Sequence, residues 1–555
     1  MGSVTEENGE VKHIGDPTET AIVFAAMKNG MTKEELNTKY PRAATLPFDS
    51  DRKLMTTVNR IDGKLTVIVK GAFDVLAGRC TAGNPESAAA LCESMGERAL
   101  LEIAADLQQG VEVQNIQDVA GTCYRVPNFD YTYDYLPLPS YAEVRADKQA
   151  FAEAFRLAYL EQDPIRGRRL AQQNDEWCVV QNPPAKPLTE AEMDEVYDLP
   201  YARTYHPIYE KSGGVPAIKE VQFSLVSQRG CFGGCHFCAI ISHEGRIIQR
   251  RSHASILREA KLLTQLPGFK GYIHDVGGPT ANFRRPSCDA QLVRGTCRGK
   301  PCLSPEPCSH LVADHSDYIR LLRELRALPG VKKVFVRSGI RFDYLLLADD
   351  GFLEELCAHH VSGQLKIAPE HISDRVTRLM GKSNRDIYLR FVKKFERINE
   401  RLGKKQYLVP YFMSSHPGSE LKDAIELAEF LRDMGYHPQQ VQDFIPTPGT
   451  LSTCMWYTGV NPLTGERVYS AKRPEEKRMQ RALMQYWLPR NHAIVRKALR
   501  LAHREDLIGH GKHALVPPEH HAQAGAPAAG KHRQAGGRGE HRARRNRERK
   551  QSEGR

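Results

Sequence analysis

The stretch Gly230–Ala239 reads GCFGGCHFCA, and its three thiols, Cys231, Cys235 and Cys238, fall in a C-x3-C-x2-C pattern. A thiolate is the metal-binding form of cysteine, and soft thiolates suit zinc, copper(I) and iron–sulfur clusters. Gly230, Gly233 and Gly234 stand among the thiols, and glycine tolerates the positive φ that a tight loop around a metal needs. Three ligands without a local fourth imply a centre with one open position, which is where chemistry takes place. On the three cysteines alone, a zinc loop is the rival reading.

Outward from this loop the pattern is regular. VQFSLVS alternates as a strand and runs into the cysteines. HASILREAKLLTQL, SDYIRLLRELRAL, DDGFLEELCAHH, RDIYLRFVKKFERINERLG and SELKDAIELAEFLRDMG have helical spacing. Between and after them, GYIHDV, VKKVFVRSG, GQLKIAPEH, QYLVPYFMSS and VQDFIPTPG read as strands. Six strands alternating with helices predict an α/β fold with a parallel sheet and helical crossovers. The strand count alone leaves a barrel and an open sheet equally open. In either, functional groups gather at the C-terminal strand ends. There stand Gly277-Gly278-Pro279-Thr280, Arg337-Ser338-Gly339, Lys366 with Pro369-Glu370-His371, Ser414-Ser415-His416-Pro417 and Thr447-Pro448-Gly449-Thr450.

The C-x3-C-x2-C motif with an aromatic before its last cysteine resembles that of radical S-adenosylmethionine (SAM) enzymes. RGCFGGCHFCAI, HEGRIIQ, DVGGPTAN, LKIAPEH and YLVPYFMSSHPG together resemble the YgiQ-type radical SAM proteins, from about residue 96 to 518. The resemblance implies a partial (β/α)6 radical SAM barrel. It implies that Cys231, Cys235 and Cys238 hold three irons of a [4Fe–4S] cluster, with SAM on the fourth. Phe237 would lie by the adenine, and Gly277 and Gly278 by the methionine end of SAM. Ser338 and Glu370 would contact the ribose or sulfonium, although a buried charge with a structural partner explains Glu370 nearly as well. The family's usual acidic residue after the glycines is replaced by Pro279-Thr280. The implied chemistry is reductive cleavage of SAM to a 5′-deoxyadenosyl radical that takes hydrogen from an unknown substrate, with an electron donor such as flavodoxin or ferredoxin.

Residues 1–82 resemble something else. GDPTETAIVFAA, LPFDSDRKLMTTV and VIVKGAFDVL are similar to the nucleotide-binding domain of P-type cation-transporting ATPases. Carried over, Phe48 would stack on adenine, Glu19 would contact the base, and Lys53 and Lys70 would reach the phosphates. The phosphorylated Asp-Lys-Thr-Gly motif is missing from this chain, so the segment cannot pump ions. It reads as a small α+β fragment, or as a detached ATP-binding module. It stands where the YgiQ-type proteins carry most of an N-terminal α/β domain. Residues 83–215 follow as junction and connector, with a helix at GERALLEIAADLQQG that lacks the sheet the family would supply.

A second group of thiols, Cys288, Cys297, Cys302 and Cys308, lies in an insert without apolar periodicity. Such an insert needs a staple, and structural zinc or an auxiliary iron–sulfur cluster would serve. Scattered structural cysteines are the alternative. Residues 216–455 are the barrel core and 456–518 a helical extension. Residues 519–555 form a basic tail predicted to be disordered. HRARRNRERK suits nonspecific RNA contact through phosphates, but the tail has no aromatic residue for stacking bases.

The remaining bounds are broad. The 555 residues are 41% hydrophobic and 26% charged, with 13 cysteines and a net charge of +11 concentrated towards the tail. No apolar run is long enough for a bilayer, and no signal peptide is evident, so a cytoplasmic protein without membrane partners is expected. Thiols in a reducing compartment bind metals more readily than they pair. The principal reading is thus a radical SAM enzyme; the rivals are an ATP-binding module and a noncatalytic, metal-stabilised interaction protein.

Overall fold

A computed structural model of the chain describes residues 96–519 continuously, and before them residues 38, 39 and 41 and five strands. Two of these strands, Ser3–Glu7 and Glu10–Ile14, pair antiparallel. The others, Arg42–Asp49, Leu54–Ile61 and Lys64–Gly71, form an antiparallel sheet in that order. Glu19 and Lys53 lie outside the described residues, and Phe48 and Lys70 are described only as backbone positions in strands. Residues 520–555, nearly all of the basic tail, also lie outside them.

Each stretch expected as a barrel strand forms one. They are β1 (Ser224–Val226), β2 (Tyr272–Ile273 continued by Asp275–Gly277), β3 (Lys333–Val334), β4 (Gln364–Glu370), β5 (Tyr407–Ser414) and β6 (Gln442–Asp443). Every ladder is parallel: β1 with β2, β2 with β3, β4 with β5, and β5 with β6. A parallel bridge between Ile340 and Ile367 joins the chain after β3 to β4. The spatial order therefore follows the sequence order. No ladder joins β6 to β1 among the described residues, which is the partial (β/α)6 barrel expected.

Alternation along the strands sorts the two faces. Leu225, Val276, Val334, Leu365 and Ile367 point into one large core with the helices. Those helices are α1 (His253–Gln265), α2 (Ser316–Arg326), α3 (Gly351–Glu355), α4 (Arg385–Leu402) and α5 (Leu421–Asp433). Their apolar stripes, such as Ile256, Ala260 and Leu263 on α1, recur at three- and four-residue steps. Residues of opposite parity stay accessible: Val226 on β1, Lys366 on β4 and Tyr411 on β5. The inner face is therefore not filled as a packed core would be.

Two stretches differ from the sequence reading. The segment VPNFDYTYDYLPLPSY, which is Pro- and Tyr-rich and reads in sequence as extended chain laid on a surface, contributes to a four-stranded sheet, in the order Cys123–Val126, Trp177–Gln181, Arg169–Asn174, Tyr135–Pro137. Its small core is Val126, Ala171, Cys178 and Val180. Prolines flanking three- and four-residue strands hide their period. The segment YTGVNPLTGERVY, expected as a helix, continues only to Thr458 in the helix Leu451–Thr458. Gly459, at φ +78°, ends that helix, and Val460 then bridges antiparallel to Arg467. The two other C-terminal helices form as expected, at Pro474–Met484 and His492–Leu501.

The helix Glu97–Gln108 is largely exposed among the described residues. Only Ala99 is buried on it, and Leu101 is 67% exposed. Ion pairs from Arg98 to Glu192 and from Arg229 to Glu97 tie it to the body. By contrast the helix Lys148–Leu160 seats its aromatic residues well. Phe151 meets the Tyr457 ring edge-on at 4.9 Å, and Phe155 packs on Leu379, Leu451, Met455 and Val468.

Candidate active site

The cysteine loop begins where β1 ends. Gln228 and Arg229 continue the chain and pair antiparallel with Gln249–Arg250, which closes residues 230–248 into a loop at the C-terminal strand face. Gly230 sits at φ +86°, and a Cβ there would lie 2.4 Å from the Ile247 carbonyl oxygen, so only glycine fits. Phe232 then plunges inward. Its ring stacks on Phe283 at 3.7 Å between centroids, and Tyr344 packs edge-on against both rings. This aromatic anchor fixes the loop between its first two thiols.

The three thiols act on one another. Burial pushes the Cys231 thiol up, and the Cys235 charge adds to that. Burial likewise pushes Cys238 up to about 12, with contributions from Cys235 and Cys231. The Thr280 hydroxyl lies 3.7 Å from Cys231 Sγ, and an Arg341 Nη1–H donates to Cys235 Sγ at 3.1 Å. Arg341 is buried and doubly bonded to the buried Asp343, at 2.9 and 2.6 Å. Burial works against the guanidinium charge, but Asp343 and the thiols more than offset it, so its pKa is raised. A second buried cation, Lys382, also favours the Cys238 thiolate. Such a set suits three thiolates that share a metal cluster: metal binding removes their protons, and the buried cations balance the charge left behind. The donors present therefore fit a three-cysteine iron–sulfur site.

Two further groups at this end of the barrel each hold one unbonded oxygen. Glu370 ends β4 at φ +67°, and Ser415 follows β5 at φ +61°. Both are buried, and neither Glu370 Oε2 nor Ser415 Oγ has a hydrogen-bond partner. Non-glycine residues held in the left-handed region cost about 1–3 kcal/mol each and gather at functional sites. Burial raises the Glu370 pKa, and Lys382, 4.0 Å away, only partly opposes it. Orphaned polar atoms on adjacent strand ends are what a bound polar ligand would satisfy.

Three buried imidazoles complete the surroundings. His236 Nδ1 meets the Leu379 carbonyl at 3.0 Å, and its backbone N–H donates to Met380. His416 Nδ1–H donates to the Pro417 carbonyl at 2.7 Å, which leaves Nε2 to accept from the Ser452 hydroxyl at 2.7 Å. Burial drops His236 and His371 to about 4 and His416 to about 3, so all three are neutral at physiological pH. Phe237 lies against Val376, Met380, Met413 and Phe444, with its ring edge-on to His416 at 6.0 Å.

The remaining expected SAM contacts have structural partners of their own. A Cβ on Gly277 would fall 2.1 Å from Ser338 Oγ, and one on Gly278 would fall 2.7 Å from Gln228 Nε2. The glycines are thus demanded first by the chain's own packing. Ser338 Oγ donates to Asp275, whose other oxygen accepts from the Arg337 and Ser338 backbone N–H groups at 2.7 and 3.1 Å. Arg341, Asp343 and Lys382 escaped the sequence reading. The one available signal was Arg341 and Asp343 two positions apart, just past the polar turn after β3.

The second cysteine group lies beside the first. The Cys302 S–H donates to Ser287 Oγ at 3.4 Å, next in sequence to Cys288. Burial raises the Cys302 thiol, and charges on Cys297 and Cys288 raise it further. Cys308 N–H donates to the Cys302 carbonyl at 2.9 Å. Among the described residues, no three His, Cys, Asp or Glu side chains converge tightly enough to hold a single metal ion.

Family comparisons agree with this geometry. The Radical SAM superfamily model matches residues 225–446 and the Radical SAM N-terminal model matches 85–224. A domain of unknown function, DUF3362, matches 439–555. The P-type ATPase cytoplasmic domain N model matches 2–133, so it overlaps the second model. A UPF0313 protein of Clostridium botulinum (strain 657 / Type Ba4) is 56% identical over 432 residues, covering 78% of this chain and 68% of the relative. A UPF0313 protein of Clostridium perfringens (strain 13 / Type A) is 55% identical over 428 residues, covering 77% and 65%. Among solved structures, the cobalamin-dependent SAM radical enzyme OxsB with aqua-cobalamin bound aligns at TM-score 0.40 and 11% identity, over 75% of this chain and 60% of that one. The radical SAM methyltransferase TsrM from Kitasatospora setae, with cobalamin and a [4Fe–4S] cluster bound, aligns at TM-score 0.33 and 12% identity, over 64% and 52%. These low scores say nothing of this chain's own ligands. With the radical SAM model lying on the six-stranded barrel and its three-cysteine loop, the chain is a radical SAM enzyme and belongs to the UPF0313 family.

Proposed function

We propose that this chain is a YgiQ-type radical SAM enzyme that binds a [4Fe–4S] cluster through Cys231, Cys235 and Cys238 and cleaves SAM reductively to act on a further substrate. The observation that carries the reading is the mutual placement of three thiols, Arg341 and Lys382 at the C-terminal strand ends, beside the orphaned Glu370 and Ser415. The cluster, when bound and reduced, supplies the one electron that splits SAM into methionine and a 5′-deoxyadenosyl radical able to take hydrogen from the substrate. A small electron-transfer protein such as a flavodoxin or ferredoxin provides that electron.

The chain's residues bind, orient and shield. Phe237 offers its ring to the adenine from the side of β5 and β6. The backbone of Gly277 and Gly278, held by Ser338 and Gln228, lines the approach for the methionine end of SAM. Glu370 and Ser415 supply the unpaired acceptor and hydroxyl that ribose or amine groups would bond. Ser338 acts through Asp275 to fix that backbone. The open inner face, with Val226, Lys366 and Tyr411, is where substrate would enter. No helix among the described residues is long and apolar enough to cross a membrane, in keeping with work in the cytoplasm.

We read residues 1–82 as a fragment resembling the P-type ATPase nucleotide-binding domain, residues 83–215 as the remnant of the family's N-terminal region, 216–455 as the catalytic core, 456–518 as its helical extension and 519–555 as a basic tail.

The test is anaerobic reconstitution with iron and sulfide, then dithionite and SAM, with 5′-deoxyadenosine measured beside a Cys235→Ala variant. Product in the unchanged chain and only background in the variant is the expected result. Equal product in both, or a chain that binds zinc and no iron, would overturn the proposal.

A further inference from the structure

The insert between β2 and α2 is woven together at the positions of its cysteines. Ser287, beside Cys288, accepts from the Cys302 thiol, and its carbonyl accepts from Val312 N–H at 2.9 Å. Cys308 N–H bonds back to Cys302, and Leu311 N–H bonds back to Cys308 at 2.9 Å. The Cys302 thiol feels the charges of both Cys288 and Cys297. The only helix in the insert is the short Ala290–Arg294, so little regular structure holds these thiols in place.

The insert is also seated directly on the first cysteine loop. A Cβ on Gly234 would lie 3.1 Å from Pro301, the residue before Cys302. Cys231 and Cys302 border the same apolar cluster of Phe232, Ile248, Phe283, Leu303 and Tyr344. The Arg246 guanidinium donates to the Cys297 and Lys300 carbonyls at 2.9 and 3.0 Å, while the Gly245 carbonyl next to it accepts from Cys231 N–H at 3.0 Å. The Arg246 guanidinium, bonded to the Cys297 carbonyl, also favours the Cys302 thiolate.

We propose that Cys288, Cys297, Cys302 and Cys308 hold a second iron–sulfur cluster, seated against the loop of Cys231, Cys235 and Cys238. A single zinc ion needs all its thiolates ~2.3 Å from one point. Neither cysteine set converges in that way among the described residues. A cluster gives each thiolate its own iron and so accepts a wider spread. Four thiolates would fill its protein sites, in contrast to the three-thiolate site with one open iron. The second cluster goes beyond the SAM reading and does not depend on it.

The experiment uses the full chain with Cys231, Cys235 and Cys238 all changed to alanine, reconstituted anaerobically with iron and sulfide, desalted, and assayed for iron, sulfide, zinc and the paramagnetic resonance of the dithionite-reduced state. About four irons and four sulfides per chain with a reduced-cluster signal are expected, and a further Cys302→Ser, Cys308→Ser change should remove them. As a second arm free of any loss of folding in the triple variant, the unchanged chain should hold about eight irons, falling to about four with Cys302→Ser and Cys308→Ser alone. An iron-free triple variant together with only about four irons in the unchanged chain would overturn the proposal. So would stoichiometric zinc in the insert that iron does not replace.

Discussion

The loop of Cys231, Cys235 and Cys238 and the insert of Cys288, Cys297, Cys302 and Cys308 meet on one apolar cluster, yet they are held by different means. The first is fixed from inside the fold. Phe232 is locked between buried rings, Arg341 and Asp343 are buried beneath the thiols, and neutral histidines wall the far side. The second is held by backbone bonds to its own turns and by arginines that are partly exposed, with Cys297 itself at the surface. The difference predicts that in metal-free protein the first loop keeps its shape better than the insert does. A preorganised site pays its folding cost in the scaffold; a loop of turns takes much of its order from the ligand.

The sharpest way to break this comparison is to remove the buried cation. Arg341→Met leaves Asp343 buried and unpaired, and breaking such a pair costs about 3–5 kcal/mol. The metal-free variant should show a correspondingly lower urea midpoint than the unchanged chain. Adding Asp343→Leu removes the stranded charge and should recover most of the loss. A midpoint unmoved by Arg341→Met would mean that the first loop is not held by this pair at all.

The histidine wall gives a second, smaller effect, visible in acid. An unfolded chain protonates His416 near 6.5, but the buried ring takes a proton only near 3. Between those values the unfolded state binds more protons, so stability falls as pH drops through the window and is fully present above it. The limiting slope is roughly 1.4 kcal/mol per pH unit for each such imidazole. His371, depressed to about 4, contributes over a narrower range. In metal-free protein, His416→Gln should flatten the slope of urea stability against pH between about 6 and about 4 by one such contribution. The readout is the slope, since the substitution also changes packing. An unchanged slope would show that His416 is not held neutral.

Much of this architecture was legible in the sequence because its signals are local. β4 alternates Leu365 and Ile367 against Lys366, α1 repeats Ile256, Ala260 and Leu263, and three thiols stand within eight residues. The charges under the thiols were not legible. Arg341 is 106 positions from Cys235, and nothing in RFDY announces that its arginine turns down onto a sulfur. The four-stranded sheet of residues 123–181 was missed for another reason, as its strands are short and broken by proline. Ser415 was visible only as one of a polar run; its left-handed backbone and bare hydroxyl belong to three dimensions. Glu97–Gln108 was legible as a helix from its apolar spacing.

The mildest perturbation separates the two cysteine sets most cleanly. Arg246 lies at the far end of the 230–248 loop, and its side chain reaches across to the insert through two carbonyls. Arg246→Ala removes those two bonds in a partly exposed setting, worth about 0.5–1.5 kcal/mol each. Global stability should therefore change less than in Arg341→Met. Limited proteolysis of the metal-free chain should nonetheless speed up between residues 294 and 300, where the carbonyls are released. The first loop, anchored by Phe232 and Arg341, should still take up iron at the unchanged chain's level when the insert cysteines are changed to serine in the same variant. Loss of iron from the first loop in that background would show that the two sets stand or fall together, so that the insert is part of the first site's scaffold and not a separate site beside it.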